Sequence, residues 1–587
     1  MSAPPPPLHA VAIAADVEAH RWSAVVVDTD SGDVALIATE RTDAELADDL
    51  VDHDRAHGPR WLWWGHGTAL SMAELGLRPA RCWDLAAVHR LLHGGWRSDP
   101  ARIWAAAHEL DPESIPRQQP VDLFSTLDDH DPNEPVRADG HLDPDWAAGA
   151  WADTPPRIER WARLAGDVHA RQAALAHQLT TDRPQLGSTI RSESTAAALA
   201  AELEVGGLPI DLDIAEQVIG SFVGPRPLDD ADRLAAAHAR DQLVLSHVPD
   251  GDHYDLRSPE QVKSMLRRCG IEVPDTRSWR LERLVEQHPV IQPLLTWRRA
   301  ERIDTTFGYA WLDEHVAPST ATLESGGRRG VLRGEWSASD GAAGRMTASA
   351  GLHNMPAELR PAVTPEPGHV FVRADLGQIE PRILAAVSGD EQLATAAKQV
   401  DMYAPVATQL RVEREVAKVA VLGAMYGQTT GIGAEALRGL EREYPVAMAY
   451  LQSADRAAQG GNDLRTVGGR LVRMSGPSAA GDADAERSRA AARGRFGRNA
   501  MVQGAAAEFF KMWALLVRSR IGRLGGRIVL CLHDEILVQV PADTSEQGAA
   551  AVDDALTEAA ARWTPPGAPR VRFVTDTSMI ERWSDAK

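Results

Sequence analysis

Two apolar runs far apart in the chain each end at an aspartate. The first is His369–Leu376 and the second begins at Ile528, and both are rich in the branched and aromatic residues typical of buried strands. Asp375 and Asp534 stand where these runs break. If the two strands are neighbours in one sheet, their carboxylates face each other, which is the arrangement that a pair of Mg²⁺ ions requires.

A helical pattern lies between the two runs. Arg414, Lys418, Leu422 and Tyr426 recur at intervals of four, so on a helix they share one slowly drifting face. An ordinary amphipathic helix would explain the spacing, but not two cations on an otherwise apolar face. The pattern predicts a helix that binds phosphates through its cations and a base or sugar through its other residues.

Each aspartate also has a purely structural interpretation. Asp375 could cap a helix, with Gln378 three residues later completing a capping box. Asp534 and Glu535 could form a solvated hairpin turn, although this pair lacks the glycine that tight hairpins favour. Taken alone, each segment is equally compatible with either interpretation, and the cationic helix between them favours a functional site.

Lysine usage singles out Lys418. The chain has five lysines against 57 arginines, so a lysine at this position stands out. A lysine ammonium can donate its proton, whereas an arginine stays charged. We therefore interpret Lys418 as a candidate general acid for a departing pyrophosphate.

Apolar runs elsewhere predict the wider organisation. Val11–Ala14, Ser23–Val27 and Val34–Ile37 predict strands of a small α/β domain that ends near residue 180. An acidic, proline-rich stretch from Asp122 to Pro156 is typical of an irregular connector. Farther on, Ser258 followed by a proline predicts the start of a helix.

Composition narrows the class of protein. At 587 residues and 63.5 kDa the chain has material for several domains. Its three cysteines show no metal-ligand spacing, which suits a reducing compartment. The start of the chain lacks the pattern of a secretory signal, and no apolar run is long enough to predict a membrane span.

Charge alone argues against a nucleic-acid partner, because the formal net charge is −21. The distribution changes that conclusion, since residues 465–527 hold 13 basic and 4 acidic side chains. This segment predicts a surface that follows phosphates within an otherwise acidic chain. The alternative is an ordinary arginine-rich helical surface.

Three motifs resemble motifs A, B and C of the family A DNA polymerases, the DNA polymerase I type. They are Asp-x-x-Gln-Ile-Glu-x-Arg from Asp375, Arg-x-x-x-Lys with a later Tyr-Gly from Arg414, and His-Asp-Glu from His533. The resemblance implies a multidomain α/β and α fold. A ribonuclease H-like, exonuclease-type domain would precede a right-hand polymerase with an antiparallel palm sheet and a helical thumb and fingers.

The same resemblance implies domain boundaries. It places the exonuclease-like domain at 1–180, the thumb and the start of the palm at 190–330, the palm with motif A at 331–387, the fingers with motif B at 388–500, and the palm with motif C at 501–587. No 5′ nuclease domain is expected.

The implied activity is template-directed addition of deoxynucleotides to a primer 3′-OH by two-metal phosphoryl transfer. The catalytic residues would be Asp375, Asp534, Glu535 and Lys418, with both aspartates on two Mg²⁺ ions, for which Mn²⁺ would substitute. The expected dNTP-binding residues are Gln378, Glu380, Arg414, Lys418, Leu422, Tyr426 and His533. The expected DNA contacts are Arg345, Asn354, Arg382, Arg495, Asn499 and Gln503.

The exonuclease motifs are eroded. Asp16 and Glu18 resemble the first motif, and Asp167 resembles the aspartate of the third. Gly67 stands where the family has a metal-binding aspartate, and Arg163 where it has a tyrosine. Because metal affinity depends on the number of charged ligands, the missing carboxylate predicts a vestigial nuclease domain.

Several positions depart from the family pattern within the polymerase motifs. Leu422 replaces a Phe or Tyr, Gly377 a Ser, Leu376 a Tyr and Pro381 an aliphatic residue, and Tyr403 stands where a His usually contacts the substrate phosphates. Leu422 offers the sugar apolar packing but no flat aromatic face. Altered sugar discrimination is therefore expected.

The expected partners are primer–template DNA and deoxynucleoside triphosphates. A monomer without a membrane partner is expected, in the bacterial cytoplasm at the nucleoid. The alternatives are a bifunctional enzyme with an active 3′–5′ exonuclease, a nuclease whose polymerase half only positions DNA, a non-catalytic DNA-binding relative and a single-subunit RNA polymerase. Gly67 speaks against the nuclease, because it breaks the carboxylate set. Glu380 speaks against the last, because it would crowd the 2′ position of the sugar.

Overall fold

The computed structural model describes residues 5–16, 18–118, 131–249, 253–319, 327–427, 433–474 and 483–586. The chain forms two compact units. The first comprises Met1–Gly206, Trp336–Thr347 and Val372–Met579, and the second comprises Gly207–Glu335, Ala348–Phe371 and Ile580–Lys587.

The first unit begins with a five-stranded mixed sheet. Its strands are β1 (Leu8–Asp16), β2 (Arg21–Asp28), β3 (Val34–Arg41), β4 (Arg60–Trp63) and β5 (Cys82–Asp84), in the spatial order β3-β2-β1-β4-β5. β1 runs antiparallel to β2 and parallel to β4. Side chains alternate between two cores, so that Ala10 and Ala12 pack on one face and Val11 and Ile13 on the other. The three predicted strands are confirmed.

Seven helices accompany this sheet within the described residues. They are α1 (Asp43–His57), α2 (His66–Glu74), α3 (Leu85–His93), α4 (Pro100–Ala107), α5 (Pro144–Ala148), α6 (Pro155–Thr180) and α7 (Leu186–Gly206). The predicted connector from Asp122 to Pro156 lies outside the described residues up to position 130, and beyond that it contains α5 and the start of α6.

The second unit is mainly helical. Its elements are β6 (Leu208–Asp211), α8 (Leu212–Val223), α9 (Asp230–Leu245), α10 (Pro259–Arg268), α11 (Ser278–Glu282), α12 (Ile291–Phe307), α13 (Tyr309–His315), β7 (Val316–Pro318) and β8 (Arg329–Leu332). The strands form a sheet in the order β6-β8-β7. Ser258 caps α10 by accepting a hydrogen bond from the backbone of Gln261, which confirms the predicted helix start.

The remaining elements belong mainly to the first unit. β11 belongs to it from Val372 onward, and β16 belongs to it as far as Met579. They are β9 (Trp336–Asp340), β10 (Arg345–Ala348), β11 (His369–Leu376), α14 (Ile379–Ser388), α15 (Glu391–Ala396), α16 (Tyr403–Leu410), α17 (Arg414–Tyr426), α18 (Gly433–Glu443), α19 (Pro445–Gln459), β12 (Leu464–Arg465), β13 (Leu471–Val472), α20 (Ala483–Gly522), β14 (Arg527–Cys531), β15 (Glu535–Pro541), α21 (Ser545–Trp563) and β16 (Thr575–Ile580). A four-stranded sheet has the order β14-β15-β11-β16.

Helix α20 is the longest element and crosses the predicted boundary between fingers and palm at residue 500. By length and composition, its stretch Asp484–Gly522 is the one described helix apolar enough to cross a membrane. However, 83% of its most apolar window is buried inside the protein, as in the core helix of a globular domain.

A buried charge cluster joins α20 to α7. Lys511 donates from Nζ to Glu193 Oε2 at 2.7 Å, and the Arg470 guanidinium lies 2.7 Å from the same oxygen. Beside them, Glu508 accepts hydrogen bonds from the Thr466 hydroxyl and the Gly468 amide. Helix α7, which spans the expected start of the thumb and palm segment at residue 190, belongs to the first unit.

Candidate active site

Asp375 and Asp534 come together at the end of the four-stranded sheet. β11 and β15 are neighbours in this sheet, and Asp534 lies in the short turn between β14 and β15. The Leu376 amide donates a hydrogen bond to the Asp534 carbonyl at 2.7 Å. The condition stated for the two carboxylates, that their strands be neighbours, is therefore met.

The two aspartates form a half-buried patch of like charge. Burial raises the pKa of Asp375 to about 6, and the Asp534 charge adds to the rise. Burial also raises the pKa of Asp534, with contributions from Glu535 and Glu380. Carboxylates crowded in this way favour a bound cation, because a cation removes the repulsion that holds their pKa values up.

Arg373 is a residue of this site that sequence reasoning missed. Its guanidinium donates to Asp375 Oδ2 at 3.1 Å and to Glu535 Oε2 at 3.2 Å, and it lies 3.4 Å from Asp576 Oδ2. The available signal was its position two residues before Asp375 on one strand, which puts both side chains on the same face. Arg373 partly neutralises the acidic patch.

The donor chemistry fits a hard divalent cation held by two carboxylates. Among the described residues, no group of three or more His, Cys, Asp and Glu side chains has the geometry of a metal centre. Asp375 and Asp534 therefore form a pair rather than a closed cage. Such a pair suits Mg²⁺, which keeps several waters and takes further oxygens from substrate phosphates.

Helix α17 presents the predicted cationic face. Ala417, Val421 and Met425 are buried on the side that packs into the protein, whereas Arg414, Lys418, Leu422 and Tyr426 all retain solvent exposure. Lys418 has no ion-pair partner in the part of the chain that the structure describes. Its ammonium group is available to an anionic ligand.

Arg414 is engaged by Asp401. Its Nε donates to Asp401 Oδ2 at 2.6 Å, and Gln378 donates from Nε2 to Asp401 Oδ1 at 2.7 Å. Gln378 also accepts a hydrogen bond from the Met402 amide through Oε1. Arg414 and Gln378, two of the predicted dNTP-binding residues, are thus joined through the Asp401 carboxylate. An incoming phosphate would replace Asp401 as the partner of Arg414.

Glu380 is held from two sides. Arg345 donates from Nη2 to Glu380 Oε1 and the Tyr426 hydroxyl donates to Oε2, both at 2.8 Å. Burial raises the pKa of Tyr426 to about 12, with the neighbouring Glu380 carboxylate contributing and a hydrogen bond from Gln503 opposing. His533 keeps an exposed surface, and partial desolvation lowers the pKa of its imidazole. The three motifs and β10 therefore meet at one place.

Arg382 corrects one prediction. Its side chain is fully buried, with 0% exposure. Its guanidinium donates to the backbone carbonyls of Gly377, Ala397, Gln399, Val400 and Arg572. The predicted DNA contact of Arg382 is therefore wrong. A motif pattern gives the residue type but not its direction, and this arginine ties the loops around α14 together.

The other predicted DNA contacts differ in their surroundings. Arg495, Asn499 and Gln503 follow one face of α20, where Arg495 is exposed and Asn499 Oδ1 is buried without a hydrogen-bond partner among the described residues. Asn354 is exposed and belongs to the second unit.

The predicted exonuclease remnants Asp16 and Asp167 lie toward opposite ends of β1, because Gly166 lies beside Thr29, which is hydrogen-bonded to Leu8 at the start of that strand. Asp16 ends β1 and accepts a hydrogen bond from the Ala19 amide, and Glu18 is exposed. Asp167 lies on α6, where it contacts His108 at 2.8 Å and Arg171 at 3.5 Å. Gly67 opens α2 with free space around its Cα, so that a side chain would fit there. No contact recorded between described residues joins these carboxylates.

Comparisons with known proteins agree with this architecture. A family model described as DNA polymerase family A matches residues 245–585. The chain is 30% identical over 308 residues to DNA polymerase I of Chloroflexus aurantiacus, which is 47% of this chain and 31% of that protein. It is 24% identical over 479 residues to DNA polymerase I of Deinococcus radiodurans, which is 74% of this chain and 45% of that protein. The chain therefore spans less than half of either relative.

A solved structure resembles the chain over almost its whole length. It is the POL domain of Pol1 from M. smegmatis in complex with DNA primer-template and dNTP. The TM-score is 0.66 at 21% identity, with 98% of this chain and 96% of that chain covered. The predicted fold class is confirmed by this match.

Proposed function

This chain belongs to DNA polymerase family A, and from that membership we propose that it adds deoxynucleotides to a primer 3′-OH under the direction of a template. The observation that carries the proposal is the pair of half-buried aspartates, Asp375 and Asp534, together with Lys418, which has no ion-pair partner among the described residues, on a cationic helix of the same unit. A non-catalytic DNA-binding protein has no need of this combination.

Asp375 and Asp534 would hold two Mg²⁺ ions, with Mn²⁺ as a substitute. When bound, such ions activate the attacking hydroxyl and neutralise the charge that develops on the phosphate. Glu535, paired with Arg373, would orient the carboxylate pair. Lys418 would protonate the departing pyrophosphate, a task for which lysine is suited and arginine is not.

The substrate triphosphate would bind along α17. Arg414 would exchange Asp401 for a phosphate, and Gln378 would follow because it is bonded to the same carboxylate. Leu422 would pack on the sugar, Tyr426 near the template base, and His533 beside the nucleotide. Glu380 would exclude a 2′-hydroxyl, since its contacts with Arg345 and Tyr426 hold it in place.

Primer–template DNA would contact Arg345, Asn354, Arg495, Asn499 and Gln503. We also propose a monomer in the bacterial cytoplasm at the nucleoid, with a vestigial exonuclease domain. Phosphate contacts of this kind make DNA affinity fall as salt rises.

A primer-extension assay tests the proposed function. The protein is incubated with labelled primer–template, Mg²⁺ and either dNTPs, rNTPs or no nucleotide. We expect template-dependent elongation with dNTPs only, and an unchanged primer in the other two reactions. Failure to elongate with dNTPs would refute polymerisation, shortening without nucleotide would indicate a nuclease, and elongation with rNTPs would refute the role of Glu380.

A further inference from the structure

Trp96 is an unusually exposed tryptophan, with 74% of its surface accessible. It lies in the loop between α3 and α4, inside the amino-terminal domain. A large aromatic side chain in water forgoes the stabilisation that burial would give it. A single exposed apolar residue is common on protein surfaces, so the surroundings of Trp96 decide whether this loop binds a ligand.

The loop that carries Trp96 is firmly anchored. Gly94 and Gly95 both have positive φ, 69° and 81°, and a side chain at Gly94 would come within 2.8 Å of the Leu471 carbonyl. Arg473 donates from Nε to the His93 carbonyl at 2.7 Å. These contacts tie the loop to β13, so that Trp96 is presented by a supported turn.

Two cavities adjoin Trp96, one of about 400 Å³ and one of about 510 Å³. Four arginines line one or both of them: Arg97, Arg102, Arg117 and Arg473. The Arg97 guanidinium lies 5.0 Å from the centre of the Trp96 ring. Asp99 pairs with Arg102 at 3.4 Å and Asp463 with Arg473 at 3.6 Å, whereas Arg97 and Arg117 have no carboxylate partner among the described residues.

A buried polar atom adds to this surface. His89 lines the first cavity, is only 6% exposed, and leaves its Nδ1 without a hydrogen-bond partner within the described part of the chain. Burial lowers the pKa of His89 to about 3, so its ring is neutral at physiological pH. A buried, unsatisfied ring nitrogen beside a cavity is costly unless a ligand or water completes it.

We propose that Trp96 and these arginines form a binding platform for an unpaired DNA strand. A base would stack on the Trp96 ring, its polar edge would reach His89, and the flanking phosphates would contact Arg97 and Arg117. Stacking on an aromatic side chain together with a cationic path for the backbone is the common mode of single-strand binding. A duplex cannot use the platform, because its bases are already stacked on one another.

The platform extends the proposed function without depending on it. Its residues all precede Asp375 or lie on β13 and its flank, and none of them belongs to the candidate active site. The platform would give the amino-terminal domain a DNA-binding role that needs no metal ion and no carboxylate.

Fluorescence anisotropy of a labelled oligothymidylate tests the proposal. Excess unlabelled blunt duplex is present to occupy duplex-binding sites, and Trp96→Ala is compared with Trp96→Phe. Because one stacked base contributes roughly 1–3 kcal/mol, we expect about 10-fold weaker binding by the alanine variant and near-parental binding by phenylalanine. Ile37→Ala, which removes an exposed apolar side chain 55% accessible in β3, is the matched control and should bind as the parent does.

The salt dependence gives a second measure. Replacing both Arg97 and Arg117 by Gln should lower the slope of log affinity against log salt by about 1.4, since each lost phosphate contact on a single strand removes about 0.7. Equal affinity of parent and Trp96→Ala, an unchanged slope, or tighter binding of the RNA counterpart would overturn the platform. Primer extension by Trp96→Ala on a template without an overhang beyond the copied bases should stay parental, so failure of polymerisation and failure of the platform are separate results.

Discussion

Two sets of carboxylates occur in this protein, and their surroundings differ sharply. Asp375 lies near the end of β11 and Asp534 in the turn before the neighbouring β15, and both are half-buried. Burial, together with the Asp534 charge, raises the pKa of Asp375 to about 6. Asp16, Glu18 and Asp167 are exposed, Asp16 contacts the nearby Ala19 amide, and Asp167 pairs with His108 at the end of another helix. The difference teaches that acidic residues in a family-like order are not enough. A catalytic set also has to converge in a place where burial keeps its charges costly.

The sharpest test of this contrast is the loss of one carboxylate from each set. Asp375→Ala should reduce primer extension roughly 10³-fold or more, because two-metal stabilisation contributes several kcal/mol to the transition state. Asp534→Ala should behave in the same way. The control Asp16→Ala, measured in the same gel assay, should extend at the parental rate, and comparable losses in both sets would abolish the contrast.

The second largest effect is expected for Lys418, the proposed proton donor to the pyrophosphate. Lys418→Arg keeps the positive charge but removes the proton donor, so kcat should fall about 100-fold with little change in KM. Steady-state single-nucleotide incorporation measures both constants. Lys398→Arg makes the same change at an exposed lysine and should leave both unaltered. A Lys418→Arg enzyme with parental kcat would show that the group is not the proton donor.

Sugar selection should change more modestly. Leu422→Phe adds a flat aromatic face against the sugar, a contact worth roughly 0.5–1.5 kcal/mol, so the ratio of dideoxynucleotide to deoxynucleotide incorporation should shift about 2- to 10-fold. Val419→Phe adds the same ring at a 55% exposed position of α17 outside the predicted face and serves as the control. An unchanged ratio in Leu422→Phe would remove Leu422 from the sugar site.

The repulsion between Asp375 and Asp534 should also make the free energy of unfolding depend on pH. The pKa of Asp375 is raised to about 6 in the folded state, so its contribution is fully present below about pH 4 and is lost as the pH rises through about 6. Thermal unfolding is measured in EDTA, so that no divalent ion is bound. The Tm of Asp375→Asn should rise relative to the Tm of the parent as the pH is raised from 5 to 7.5. A pH-independent difference between Asp375→Asn and the parent would contradict the raised pKa.

The smallest effect is expected for a substitution among the predicted exonuclease residues. Gly67→Asp restores the acidic residue type of the second exonuclease motif at a position with free space, yet 3′–5′ degradation of single-stranded DNA should remain at background. The remaining carboxylates are not gathered to share an ion with it. Mg²⁺-dependent shortening of labelled DNA by the variant would show that one carboxylate was all that the domain lacked.

Sequence patterns predicted the elements of the polymerase site better than their contacts. The spacing from Arg414 to Tyr426 predicted the exposed face of α17, because helical periodicity fixes which residues share a side. The apolar runs predicted β11 and the β14–β15 hairpin. No local pattern, however, says which way a side chain points, and so Arg382 was assigned to DNA although it is buried, and Arg373 was missed.

Long-range packing accounts for other differences. The resemblance gave only a boundary near residue 190 for the thumb and the start of the palm, and it did not indicate that Glu193 on α7 meets Lys511 and Arg470. Pairings across 318 positions leave no trace in local periodicity. The platform around Trp96 was missed for the same reason, since Arg473 reaches it from a distant part of the chain.

The cluster of Glu193, Lys511 and Arg470 makes the packing around α20 depend on a carboxylate of α7. Glu193 and Lys511 are 0% exposed and Arg470 is 2% exposed, so each cation depends on the amino-terminal half of the chain for its counter-charge. Deleting residues 1–206 would strand two buried cations inside the catalytic body, a change that typically costs about 3–5 kcal/mol for one broken pair. Helix α7 thus supplies the counter-charge on which the packing of α20 depends, so its removal should lower the free energy of unfolding of the whole unit.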